Sequence, residues 1–569
     1  MFHRSCGLLL LLFFLASAVA LAEEPNKIIS NSEDWRDVYS VMQFGVLNQK
    51  TSHFLVSTRH ATLLPNQIPT SNHIWVVSSK KVPFVVGYES LLKGKGYSVE
   101  EFTFDNINLE LAQQLKDVRF FAVIDDSYGY NAISVAPYAA VSNSYVLFAD
   151  RNSIDDIAEF LQDVNPEKVL LYGPLDREVR DSLQKFNPEV INKEGDRFLN
   201  NVEIVKKYLE IAPTKQVILT NGEFIEQEIM SGSQPVIFIG TNNVPKAIQD
   251  YIGTTPIEVG VLIGNELVGT ATSIRRQLGI SVFVKFAQGA RAPQGSIAQV
   301  EALDMFYLPT YALNLEIDRI KYNRATNQLE VTLKNTEQQG AYFTGTYSLT
   351  GIDGVQQTLG DTEPQFIDGN EIKTRVYEVQ TFPEGRITGD IFIVYGESRA
   401  SLERELRATL EVDSVTILDE CQVQLNGLSL VPSKKTFSIA VQNIGEKDCY
   451  TDAELIDIVV AGDEMTIGSD VAILIKPGRE RDIRIKVDDF EEADIEDNER
   501  VKVRVYYGER ETSLVKIAEG TFEVEIKKAD YLFYSLLVVI IVLLLVMYRR
   551  YRKKESEKSK TSSGKSETI

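Results

Sequence analysis

Hydrophobic and polar positions change their rhythm once along this chain. Between residue 25 and about 300, short apolar runs lie at 74–77, 120–124, 145–148, 169–172, 217–219, 236–239 and 259–263. Runs of this length with little polar interruption predict buried parallel strands. Amphipathic stretches separate them. One opens at Ser153 with Asp156 three residues on, and places Ile154, Ile157, Ala158 and Leu161 on one face. Strand and helix alternating in this way predict layered α/β modules with right-handed crossovers. Several runs end in glycine before a helical stretch, at Gly173, Gly240 and Gly264. These read as tight strand-to-helix turns, since no G-x-G-x-x-G or Walker P-loop accompanies them.

Beyond about residue 311 the period becomes two. Alternation at 329–333, 391–394, 437–441, 484–487 and 501–505 predicts half-buried antiparallel strands. The pattern at 329–336 recurs at 437–444, and Tyr395-Gly396-Glu397 with Ser401-Leu402 recurs as Tyr507-Gly508-Glu509 with Ser513-Leu514. The spacing, about 110 residues, is one β-sandwich. Two all-β Ig-like sandwiches are predicted, at 311–413 and 414–528. The α/β part also repeats: the stretch 33–39 and the strand after it resemble 195–201 and 216–220, and the unit 169–183 resembles 236–252. Between the two rhythms, 289–295 is rich in Gly, Ala and Pro and reads as a linker.

Residues 531–548 carry no charge and have tyrosines at both ends. Eighteen helical residues at about 1.5 Å each span roughly 27 Å, close to the hydrocarbon thickness of a bilayer. The tail 549–569 holds eight Lys/Arg and three Glu, the expected cytoplasmic signature. At the other end, residues 1–22 read as a signal peptide: Arg4, an apolar run, then Ala20-Leu21-Ala22. The expected topology is single-pass type I at the cell membrane, with the ectodomain outside and a short basic tail inside.

The formal net charge is −22, and the basic tail leaves the ectodomain more acidic still. Such a surface excludes nucleic acid as a partner. Of three cysteines, Cys6 lies in the signal peptide, and Cys421 and Cys449 fall in one predicted domain of an exported chain, where a disulfide is expected.

Little in the sequence points to catalysis. The four histidines are His3, His53, His60 and His73; the last three share no H-E-x-x-H pattern or helical i, i+4 spacing. No G-x-S-x-G elbow occurs. Asp125-Asp126 lies where a strand is expected to end, the usual ligand edge of an α/β sheet, yet adjacent carboxylates point apart. No enzyme, metal or cofactor is expected.

Residues 121–208 carry a recognisable order of features. These are Val123-Ile124-Asp125-Asp126, an Ala-rich stretch at 131–140, the strand at 145–150, a strand ending at Gly173, and Gly195-Asp196-Arg197-Phe198. This order resembles the type 2 cell-wall-binding repeat of bacterial and archaeal surface proteins, with degenerate copies at about 33–120 and 210–285. The resemblance implies stacked, Rossmann-like α/β modules over 25–300 that hold a protein on or within a cell-surface layer. It transfers no individual binding residue. The alternating half, with Val441-x-Asn443-x-Gly445, resembles Ig-like stalk domains of prokaryotic surface proteins. The expected function is structural: a membrane-anchored, archaeal-type surface protein that tethers, or forms part of, an envelope or S-layer. Its partners would be an envelope polymer or surface-layer protein, with homo-oligomers possible through the α/β head. Two alternatives remain, an adhesin or receptor for another cell or soluble ligand, and an exported membrane-bound hydrolase.

Overall fold

The computed structural model describes residues 26–286, 289–291, 300–527 and 542–549. It divides into two compact units, 1–418 and 419–569. The expected signal peptide and most of the apolar segment 531–548 lie outside the described residues. Within that segment, residues 542–548 are helical with exposed side chains. Among the described residues, no helix is long and apolar enough to cross a membrane.

The first unit begins with three parallel sheets built to one plan. The first contains β1 (Lys27–Asn31), α1 (Trp35–Leu47), β2 (Thr51–Phe54), β3 (His73–Ser79), α2 (Tyr88–Gly94), β4 (Ser98–Phe104) and α3 (Ile107–Gln114). The second contains β5 (Phe120–Ile124), α4 (Tyr130–Val141), β6 (Ser144–Phe148), α5 (Ile154–Val164), β7 (Lys168–Tyr172), α6 (Arg177–Leu183), β8 (Glu189–Ile191) and α7 (Arg197–Ile211). The third contains β9 (Gln216–Thr220), α8 (Gln227–Met230), β10 (Val236–Phe238), α9 (Lys246–Gly253), β11 (Val259–Ile263), α10 (Ala271–Leu278) and β12 (Ser281–Lys285). Their orders are β2-β1-β3-β4, β6-β5-β7-β8 and β10-β9-β11-β12. In each sheet the second strand is therefore an edge. α1, α4 and α8 each follow the first strand of their sheet, and the three pack against one another around a shared apolar core.

This repeat differs from the one the sequence suggested. Residues 33–39 open the helix after a first strand, whereas 195–201 open the helix after a fourth strand. The two stretches look alike because Asp34 and Asp196 do the same local work, each accepting backbone N–H groups at a helix start. The strand-to-helix units at 169 and 236 are likewise a third and a second strand. At α5, the expected cap also shifts: Asp150 accepts from the Ser153 and Asn152 N–H groups, while the Ser153 hydroxyl accepts from Asp150 N.

Helices α3 and α7 are the connectors between modules, and each closes the exposed edge of the next sheet with one asparagine. Asn108 on α3 donates to Val146 O (2.9 Å) and the Ser40 hydroxyl (3.0 Å), and accepts from Phe148 N (3.3 Å). Asn201 on α7 donates to Val236 O (3.0 Å) and the Ser134 hydroxyl (2.8 Å), and accepts from Phe238 N (2.9 Å). Both are buried. A primary amide satisfies three groups at once, which a strand edge buried against a helix requires.

The first unit continues into a β domain. Its strands are β13 (Leu315–Asn323), β14 (Gln328–Asn335), β15 (Ala341–Thr350), β16 (Gln356–Gly360), β17 (Ile372–Glu378), β18 (Ile387–Gly396) and β19 (Leu402–Val415). They follow the order β16-β15-β18-β19-β13-β14-β17. The long β19 pairs antiparallel with β18 and then parallel with β13, so one sheet curls on itself around an apolar core. Where a linker was expected, Gly289–Arg291 pairs with Val300–Ala302 as two short strands.

The second unit repeats this topology. It comprises β20 (Val423–Val431), β21 (Thr436–Asn443), β22 (Cys449–Val460), β23 (Asp463–Gly468), β24 (Glu480–Lys486), β25 (Arg500–Gly508) and β26 (Lys516–Ile526), in the order β23-β22-β25-β26-β20-β21-β24. Asn443 of the V-x-N-x-G motif is buried, accepts from Gly445 N and donates to Lys447 O and Ile475 O. Asn335 plays the same part in the first β domain, with Glu337 N, Gln339 O and Asp368 O. The motif pins a turn. Cys421 and Cys449 form a disulfide with Cα atoms 5.5 Å apart, tying the chain just before β20 to the start of β22.

Candidate functional site

The most specific signature in the sequence, Gly195-Asp196-Arg197-Phe198, is a buried junction. Asp196 begins α7, its Oδ1 accepting from Phe198 N and Leu199 N, both at 2.8 Å. Its other oxygen accepts from the hydroxyls of Ser398 and Ser401, in the turn between β18 and β19. Arg197 is 6% exposed. Its guanidinium lies 3.8 Å from the Tyr130 ring centre and pairs with Glu397 (3.1 Å) and Glu403 (2.5 Å). Asn242 and Asn243 extend the joint, bonding the main chain of Glu405 and Leu402. The motif thus fastens the α/β modules to the first β domain through largely buried charges.

Two carboxylates pair with one guanidinium there, and Asp196 adds a third negative charge that bears on Glu397. Burial pushes the Glu397 carboxyl up to about 8, against the pull of Arg197. Burial also raises the Tyr130 phenol to about 12, again against Arg197. Retaining a proton on Glu397 reduces the excess negative charge, so the joint holds together at neutral pH.

The strand-end aspartates are separated. Asp125 accepts from Asn131 Nδ2 (2.6 Å) and Ser127 N (3.1 Å), and burial raises its carboxyl. Asp126 pairs with Arg36. Gly173 has a local packing reason: its φ is +81°, and a Cβ there would come within 2.5 Å of the Asn131 amide. His73 bonds the Ser98 hydroxyl (2.8 Å) on the neighbouring strand. Among the described residues no group of His, Cys, Asp or Glu forms a metal cluster.

His53 and His60 line one cavity of about 520 Å³, where the first and third modules meet. Glu226, Lys285, Gln67 and Asp304 face the same space. Burial lowers the His53 imidazole to about 4, helped by Lys27 and His60, so it is neutral at physiological pH. Burial would lower the Lys285 amine, but Glu226 (2.7 Å) and Glu228 (2.9 Å) outweigh it and raise it. Sequence reasoning missed this cavity because its residues come from three separate stretches. The one available hint was the pair His53 and His60.

No family model matches the chain, and no curated protein matches it. Among solved structures, Cwp8 from Clostridium difficile is similar at 18% identity and a TM-score of 0.36, over 45% of this chain and 48% of that one. The chain thus spans about half the length of Cwp8. Red sea bream transglutaminase is similar at 12% identity and a TM-score of 0.14, over 38% of this chain and 32% of that one. Escherichia coli alpha-2-macroglobulin gives 12% and 0.14, over 42% and 24%. Scores this low carry no weight for function.

Proposed function

We propose that this chain is a structural protein of the cell surface, anchored by residues 531–548, which tethers or forms part of an envelope layer. The observation that supports it best is the Asp196–Arg197 joint. It commits the one family-like motif to holding the modules on a β domain, a use suited to transmitting force rather than to turnover. Two β domains of the same topology lie in the chain between the three modules and residues 531–548, an order that suits a spacer. The sequence resemblance to cell-wall-binding repeats supports the same reading, with an envelope polymer or surface-layer protein as the head's partner. The basic tail would remain in the cytoplasm.

Protease shaving of intact cells combined with alkaline extraction tests the topology. The ectodomain should be removed from outside while a C-terminal tag survives and stays with the membrane. A tag digested from outside, or a chain extracted by alkali, overturns the anchor. A second reading, an adhesin or receptor, is favoured by the cavity between the first and third modules.

A further inference from the structure

The two β domains end in equivalent edge strands, and in the first domain side chains stitch those edges together. Tyr377 on β17 donates to Asp361 Oδ1 (2.9 Å), just past β16. Gln357 on β16 accepts from Gln380 N (2.8 Å) and donates to Gln380 O (3.1 Å), just past β17. Strand pairing gives the counterparts in the second domain. β14 with β17 and β21 with β24 share one register, so Leu329 and Tyr377 correspond to Phe437 and Ile485. Asp361 corresponds to Ser469, since their N–H groups bond Gly345 O and Ala453 O on equivalent strands. An isoleucine cannot bond a serine, so the Tyr377–Asp361 stitch has no equivalent here. Residues 419–527 are described without a break. Within them β24 pairs with β21 on one side, and a groove of about 520 Å³ on its other side is lined by Ser469, Val471 and Ile473.

The open edge has a particular charge order. Ile483 and Ile485 of β24 face the core, while Glu480, Asp482, Arg484 and Lys486 are exposed on the outer face. Along that face two acids precede two bases. An edge protected against pairing carries like charges, lysines above all. This edge instead complements its own reverse. When β24 is laid antiparallel against a second β24 about a two-fold axis at Ile483, Glu480 faces the second copy's Lys486 and Asp482 faces its Arg484, each pair occurring twice. A slip of two residues sets either Asp482 or Arg484 against itself, and a slip of one turns outer positions against inner ones. One register therefore satisfies every charge. The counterparts on β17 are Ile372, Thr374, Val376 and Glu378, which carry no such order. Glu480 also accepts from Asn426, and Lys486 pairs with Asp488; both contacts are exposed, so a facing charge can share them.

We propose that β24 is a self-recognition edge: a second copy of this chain adds its own β24 antiparallel, and the two sheets continue into one another across a two-fold axis at Ile483. Main-chain bonds along the edge supply the affinity, and the facing charges fix the register. The interface is short, so the dimer is weak in solution. Two copies held on one surface meet at a higher effective concentration. The proposal does not depend on the envelope role, because the edge is the same whatever the three modules bind.

Sedimentation equilibrium of the full chain in density-matched detergent tests this. A reversible dimer with Kd on the order of 10 µM is expected. Asp482→Arg sets base against base at both Asp482–Arg484 contacts, and Arg484→Asp sets acid against acid. Each should weaken the dimer at least about tenfold. The double variant D482R/R484D restores the opposite charges and should return Kd to within about threefold of the starting value. Both positions are exposed, so thermal unfolding should stay unchanged. Recovery in the double variant separates lost pairing from lost folding. A chain that stays monomeric up to about 200 µM, a dimer indifferent to the single reversals, or a double variant no tighter than the singles overturns the proposal.

Discussion

Replacing Arg197 by methionine keeps the bulk of the side chain and removes its charge. Glu397 and Glu403 then lose the cation they pair with in a largely buried joint. Breaking a buried ion pair from one side costs about 3–5 kcal/mol, because the surviving charge is left uncompensated. The loss of the stacking on Tyr130 adds no more than about 2 kcal/mol. The pH dependence carries a sign. Glu397 is raised from 4.5 to about 8, so in that window the native state holds a proton that the unfolded state lacks. Its contribution is complete below the unfolded value and is lost as pH rises through about 8, at up to about 1.4 kcal/mol per pH unit. Without Arg197 to favour ionisation, the carboxylates hold protons more tightly, so R197M should be nearly tolerated at pH 5 and worst at pH 9. Urea unfolding of the full chain in detergent, followed by tryptophan fluorescence, reads this out, since Trp35 and Trp75 both lie in the first module. An Arg197→Met, Glu397→Gln, Glu403→Gln triple variant should recover much of the loss. A cost below about 1 kcal/mol with an unchanged pH profile would refute the joint's role.

Asn201→Leu leaves Val236 O and Phe238 N buried and unpaired, and should destabilise the first unit by about 2–4 kcal/mol; Asn108→Leu should cost a similar amount at the other junction, both measurable by urea titration. Replacing Cys421 and Cys449 together by serine should lower the melting of the second unit by on the order of 3 kcal/mol while the first unit's transition in calorimetry stays in place.

The sequence carried the fold class in the positions buried on both sides. Runs such as 120–124 and 259–263 become central strands because their side chains face helices on both faces. The edge strands β4, β8 and β12 were not foreseen: Ser98–Phe104 alternates with glutamates, as a half-exposed edge does. The repeat register was misread because a capping aspartate looks the same before any helix, as Asp34 and Asp196 show. The β domains were legible through period two and the 395/507 match, yet the parallel pairing of β13 with β19 leaves no trace in alternation. Of the site chemistry, Arg197 was visible as a motif and invisible as a joint, because Glu397 and Glu403 lie some 200 residues away. Separations of 38 and 35 residues from Val146 and Val236 likewise hide Asn108 and Asn201, ordinary polar residues until the next module's strand edge is beside them.

Imaging of labelled ectodomain on intact cells bears most directly on the proposed surface-layer role. An even, lattice-like distribution at high density is the predicted result. A sparse distribution confined to points of contact with other cells would contradict it and favour an adhesin.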